Sequence, residues 1–178
     1  RGMYPDLPLV GIEPAVKPAA QNHRGEKVAV MATPLTLHEE KFKQLVKRYE
    51  NLATIIPVPC PDLVEYVEKG ILEGPELEGY LKDVLKPCLQ EGVKAVVLGC
   101  THFPLVKAAI GKVVGESVRI YDGGEGTARQ AKCLLAAKNL CTDQEKGHIC
   151  FESSAPEKEA YYEALYRKAA HIDSRVKL

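Results

Sequence analysis

The sequence predicts an α/β fold built on a mostly parallel sheet with helices on both faces. Three observations carry this. Short apolar runs alternate with amphipathic stretches along the chain. The clearest run, Ala95-Val96-Val97-Leu98, is followed at once by an amphipathic segment, Leu105 to Val114. The length, 178 residues, is enough for one sizeable α/β domain, or for one domain plus part of another.

The elements follow in order. Leu9 to Ile12 reads as a short strand, and Lys27 to Ala32 as a stronger one led in by Arg24-Gly25-Glu26. His38 to Leu52 carries Phe42, Leu45, Val46 and Tyr49 at helical spacing. Ala53 to Val58 is the next strand, closed by Pro57 and Pro59. Asp62 to Glu68 is a short helix with Leu63, Val64 and Val67 inward, ending at Gly70. Glu76 to Gln90 places Leu77, Leu81, Val84, Leu85 and Cys88 on one stripe, and Pro87 is expected to kink or fray its end.

The strand Ala95 to Leu98, the helix Leu105 to Val114 and the strand Val118 to Tyr121 come next. Glu125 to Asn139 reads as helix through Ala128, Ala131, Leu134 and Leu135. His148 to Phe151 reads as a last short strand. Ser154-Ala155-Pro156-Glu157 has capping-box spacing and opens a final helix to about Ala169.

Composition excludes several classes. Twenty-four basic and 24 acidic residues balance, with no block of like charge, which argues against a nucleic-acid or membrane-surface partner. No apolar run approaches the ~18 residues that span a bilayer, and no signal-peptide pattern is visible. Six cysteines stand at 60, 88, 100, 133, 141 and 150 without a Cys-x-x-Cys pair, so a zinc ribbon and a thioredoxin-like motif are unsupported. A reduced, cytoplasmic protein is expected, with no metal. Cys133 and Cys141 read as helix-face residues.

The chemistry concentrates in Leu98-Gly99-Cys100-Thr101-His102-Phe103-Pro104-Leu105. A thiol, a hydroxyl and an imidazole stand together at the carboxyl end of a strand, where open parallel sheets keep their ligand crevices. A following helix beginning near Pro104 would favour the Cys100 thiolate through its dipole. His102, two residues on, suits a hydrogen-bond partner that sets the protonation of that thiol. The Thr101 hydroxyl and neighbouring amides suit a substrate carboxylate. The competing reading is a buried small residue beside a helix cap.

Four ordered stretches resemble the glutamate racemases of the Asp/Glu racemase family: the octet at 98–105, with Phe103 where tyrosine is usual, Gly11-Ile12-Glu13-Pro14-Ala15-Val16-Lys17-Pro18-Ala19, Ala32-Thr33-Pro34-Leu35-Thr36, and Cys60-Pro61-Asp62 through Gly70. The resemblance implies cofactor-independent interconversion of L- and D-glutamate, supplying D-glutamate for peptidoglycan. It implies two pseudo-symmetric α/β lobes with substrate between them and one catalytic cysteine from each. On that reading residues 1–12 are a remnant and hinge from a first lobe, 13–121 a second, three-layer α/β lobe, and 122–178 a helical return segment of the first lobe.

The chain contains neither the family's Asp-Ser-Gly nor its Cys-Asn-Thr motif, and it starts at Arg1. It reads as the middle of a longer protein, with one cysteine of two and no racemisation expected of it alone. The segment from Gly126 onward is then expected to be disordered or buried against another chain, and a homodimer is possible.

Cys100, His102 and Glu68 are the catalytic residues so implied, with Thr101, His102, Thr33 and Thr36 on the substrate. Glu68 is open between assisting the histidine and a solvated helix-end carboxylate. Thr36 is open between substrate contact and capping a helix ahead of Glu39. Cys60-Pro61-Asp62 reads as a turn, and Asp122-Gly123-Gly124-Glu125-Gly126 as the crossing back to the first lobe rather than a phosphate loop. An aspartate or related racemase, or a non-catalytic ligand-binding module, are the alternatives.

Overall fold

The computed structural model describes residues 7–142 and 147–175, with side chains to residue 170. Residues 1–6 of the 1–12 segment, and 143–146 and 176–178 of the 122–178 segment, lie outside the described residues.

Four parallel strands form one sheet in the order β2-β1-β3-β4: β1 Lys27–Ala32, β2 Thr54–Pro59, β3 Ala95–Leu98 and β4 Arg119–Tyr121. The helices are α1 Val16–Asn22, α2 Pro34–His38, α3 Glu40–Tyr49, α4 Leu63–Glu68, α5 Pro75–Gln90, α6 Lys107–Val114, α7 Gly124–Ala137 and α8 Glu159–Arg175. The two central strands are buried on both sides, and their alternate residues supply two separate cores. Ala29 and Met31 of β1 and Val96 and Leu98 of β3 face Leu81 and Leu85 of α5 and Ile110 of α6. Val28, Val30, Ala95 and Val97 face Ala19 of α1 and Phe42 and Leu45 of α3. This is the three-layer α/β architecture expected.

The strand order positions the site. From β1 the chain crosses to β2 on one side, and β3 then returns to the other side of β1. The neighbours β1 and β3 therefore flank the point where the winding reverses, where a crevice opens at the carboxyl strand ends.

Several expectations are corrected. Leu9 to Ile12 is irregular chain that runs beside Gly123, where an added Cβ would come within 3.0 Å of both Ile12 and Glu13. His148 to Phe151 is irregular too, because Phe151 turns its ring onto Tyr166 of α8, 5.6 Å between centroids. Pro57 and Pro59 lie within β2, which tolerates them as an edge strand. The helix expected from His38 is divided at Glu39, whose ψ of 138° is extended. Pro87 stays inside α5 on its exposed face, as does Asp83, the carbonyl it deprives of a donor. The capping box at Ser154 does not form: Ser153 Oγ accepts from the Ala155 N–H, and Glu159 accepts from the Ser153 N–H. Helix α1, unforeseen beside Pro18, buries Val16, Ala19 and Ala20.

Downstream of the sheet the two helices differ. No residue of α7 is buried. Helix α8 docks on the sheet's own core through Leu165 and Ala169, rather than being disordered or requiring another chain. Among the described residues no helix is long and apolar enough to cross a membrane.

Candidate active site

Backbone constraint places Cys100. The Gly99 N–H donates to the Met31 carbonyl at 2.8 Å, carrying the β3–β1 ladder one step past the strand end. A Cβ on Gly99 would meet that same oxygen at 2.8 Å and Ala32 Cβ at 3.2 Å, so only glycine admits this approach. Four residues later Phe103 is fully buried and its N–H donates to the Cys100 carbonyl at 3.2 Å. Cys100, Thr101 and His102 thus form a short arch tied down by buried Leu98 and Phe103. The position where the resemblance has tyrosine is sealed, and phenylalanine brings no hydroxyl that needs a partner there.

Cys100 itself is partly exposed, unlike Cys60 and Cys88. Its Sγ lies 3.8 Å from His102 Nδ1, and His102 Nε2 lies 3.0 Å from Glu68 Oε1. A carboxylate accepts, so the tautomer with its proton on Nε2 suits this contact and leaves Nδ1 facing the thiol as acceptor. That chain can take the thiol proton while the carboxylate stabilises the imidazolium. Glu68, half-buried at the end of α4, has His102 as its hydrogen-bond partner. The expected dipole contribution is corrected: Phe103–Val106 is a 3-10 turn and α6 begins only at Lys107. A dipole acts within about one turn of its helix end, so Cys100 is beyond the reach of α6.

Thr33 leaves β1 at the level where Cys100 leaves β3, since Met31 and Leu98 are paired two residues earlier. Thr33 caps α2, its Oγ1 accepting from the Thr36 N–H at 3.3 Å and lying 3.0 Å from Thr36 Oγ1. The capping role expected of Thr36 thus belongs to Thr33. Both threonines stay half-buried at the strand-end edge. Cys60 at the end of β2 is fully buried, its thiol donating to the Val58 carbonyl. Burial, reinforced by Cys88 and Cys100, pushes that thiol up to about 12, so it stays protonated and inert.

A cavity of about 270 Å³ opens beside the arch. Glu68, Thr101, His102 and Leu105 line one side, and Tyr162, Leu165 and Tyr166 of α8 the other. The three α8 residues escaped sequence reasoning, although their i, i+3, i+4 spacing marks one helix face. Past β4, Asp122 accepts from Lys107 Nζ and from the Gly124 N–H, each at 3.0 Å. Burial opposes ionisation of Asp122, but Lys107 and Gly124 outweigh it and hold the carboxyl below its usual range. Among the described residues no group of three or more His, Cys, Asp or Glu is placed to hold a metal ion.

A family model described as Asp/Glu/Hydantoin racemase matches residues 2–131. The chain belongs to this family. Among its relatives, the glutamate racemase of Clostridium perfringens is 43% identical over 159 residues, covering 89% of this chain and 61% of the relative. That of Clostridium kluyveri is 48% identical over 140 residues, covering 79% and 54%. The chain thus spans about 60% of the length of such relatives, or somewhat less. The crystal structure of Escherichia coli glutamate racemase, in complex with L-glutamate and the activator UDP-MurNAc-Ala, superposes with a TM-score of 0.71 at 30% identity. That match covers 89% of this chain and 60% of the other.

Proposed function

We propose that this racemase-family chain carries one half of a glutamate racemase site, with Cys100 as the acid/base on one face of the substrate carbon. The Cys100–His102–Glu68 chain at the winding reversal is the observation that supports it most. A thiolate at Cys100 removes the Cα proton, and His102 holds or returns the thiol's proton through Nδ1, oriented by Glu68. Thr33, Thr36 and Thr101 hold the substrate's carboxylate and amino groups.

Proton delivery to the opposite face falls to a second base, which the family resemblance assigns to a cysteine of the first lobe. On this reading residues 1–12 lead in from that lobe, 13–121 form the second lobe and 122–178 return to the first, with α8 also packing on the second lobe's core. The bare surface of α7 supports the last assignment. The reaction needs no cofactor and supplies D-glutamate for peptidoglycan in the reducing cytoplasm, a compartment that six free thiols suit. A homodimer is the assembly proposed.

The test is to incubate the purified 178-residue chain with L- and with D-glutamate in deuterated water. The expected result is slow exchange of the Cα proton, abolished by Cys100→Ala, with configuration retained. Full racemisation would refute the one-base assignment. Faster exchange with L-aspartate than with glutamate would refute the substrate.

A further inference from the structure

We infer that Tyr161 and Lys168 of α8 are positioning residues for the Glu68–His102 pair, an inference that rests on the reading of that pair above. Glu68 is the last residue of a six-residue helix, too short to hold its own end. The carbonyls at such an end need partners from elsewhere.

Those of Glu65, Tyr66 and Val67 are satisfied locally, by the N–H groups of Lys69, Ile71 and Gly70. The next two in the turn that receive a donor are served from α8: the Tyr161 hydroxyl donates to the Glu68 carbonyl, and Lys168 Nζ to the Gly70 carbonyl at 2.6 Å. The turn is tight, with Gly70 at φ +71°, and the Tyr161 hydroxyl lies 3.7 Å from where a Cβ on Gly70 would stand.

Tyr161 and Lys168 are seven residues apart, two helical turns, and so share a face of α8. Leu165 between them and Ala169 beyond are buried in the core, so the two donors are presented from an anchored helix. The Glu68 side chain is 39% exposed and starts from the last residue of that helix, so where its carboxylate can reach depends on where this backbone is held. The two α8 bonds hold that backbone from behind and so keep the base of the side chain at the distance from which its carboxylate reaches His102 Nε2. Tyr162 and Tyr166 of α8, Cys100, and the Glu65–Lys69 ion pair are the other ionisable groups around the pair.

The experiment reads the imidazole ¹⁵N shifts of His102 in the full chain, together with the rate of Cys100 alkylation followed by peptide mass. In the parent the Nε2–H tautomer is expected to dominate. Tyr161→Phe and Lys168→Met are expected to give mixed tautomers and to slow alkylation roughly threefold or more. Lys168→Arg, which still donates, is expected to restore both. A purely structural role for α8 would lower the melting temperature without moving the tautomer. An unchanged tautomer and rate in both variants, with Glu68→Gln altering them, would overturn the inference alone. If Glu68→Gln also leaves the tautomer unchanged, the reading of the Glu68–His102 pair itself fails.

Discussion

Gly99→Ala is the sharpest perturbation that the fold allows. The new methyl would stand 2.8 Å from the Met31 carbonyl oxygen, where ordinary contact begins at 3.4 Å. Something must therefore move by roughly half an ångström, and the obstacle is backbone in a fully buried strand rather than a flexible side chain. Overpacking of this kind costs about 1–3 kcal/mol. The same displacement weakens the Gly99–Met31 hydrogen bond and shifts the arch that begins at the next residue. At 3.8 Å the Cys100–His102 contact has no slack, and an error of this size at a reacting group lowers rates by roughly tenfold or more. Urea unfolding measures the first effect. Iodoacetamide labelling of Cys100, resolved by peptide mass, measures the second. A variant with parental midpoint and parental labelling rate would show that the glycine does not position the thiol.

Other outcomes follow from neighbouring features. Leu165→Ala removes an anchor of α8 and is expected to cost about 2–3 kcal/mol, the low end for a buried leucine because a surface helix can settle into the gap; a change under about 0.5 kcal/mol in urea would mean that α8 is not docked. Asp122→Asn keeps an oxygen for the Gly124 N–H but loses the charge-assisted bond to Lys107, costing about 1–2 kcal/mol at neutral pH. Because the folded carboxyl is held low, its contribution is present above the unfolded carboxyl's value of about 4 and lost as pH falls through the lower folded value. The gap between parent and variant should then close in acid, and a gap that persists there would exclude the ion pair as its source. Cys60, with its thiol near 12, is expected to resist alkylation at about pH 8 in the folded chain and to react once unfolded, whereas exposed Cys133, Cys141 and Cys150 label at once.

What the sequence made legible was what local chemistry decides. Buried parallel strands such as Ala95–Leu98 are short apolar runs, and Gly99-Cys100-Thr101-His102 follows one directly, so the arch could be placed at a strand end before any coordinates. Tertiary context decided the rest. Leu9–Ile12 and His148–Phe151 have strand-like composition, but one runs beside Gly123 and the other gives its aromatic ring to Tyr166. Helix α1 was hidden because Lys17-Pro18 looks like a linker, although proline in a first turn costs a helix little. The wall that α8 builds beside His102 joins residues about sixty positions apart, a pairing that no local pattern announces. The order β2-β1-β3-β4, which explains why Thr33 and Cys100 emerge side by side, exists only in the folded sheet.

The crossing at Gly123 has a consequence of its own. Ile12 and Glu13, where the backbone enters the sheet lobe, touch the residue through which it leaves. Everything between is spliced in through a single doorway, so the lobe is a cassette whose two ends are already adjacent. Exchanging such a module for a homologous insert would not stretch the chain, provided that the insert keeps the surface on which Leu165 and Ala169 of α8 pack.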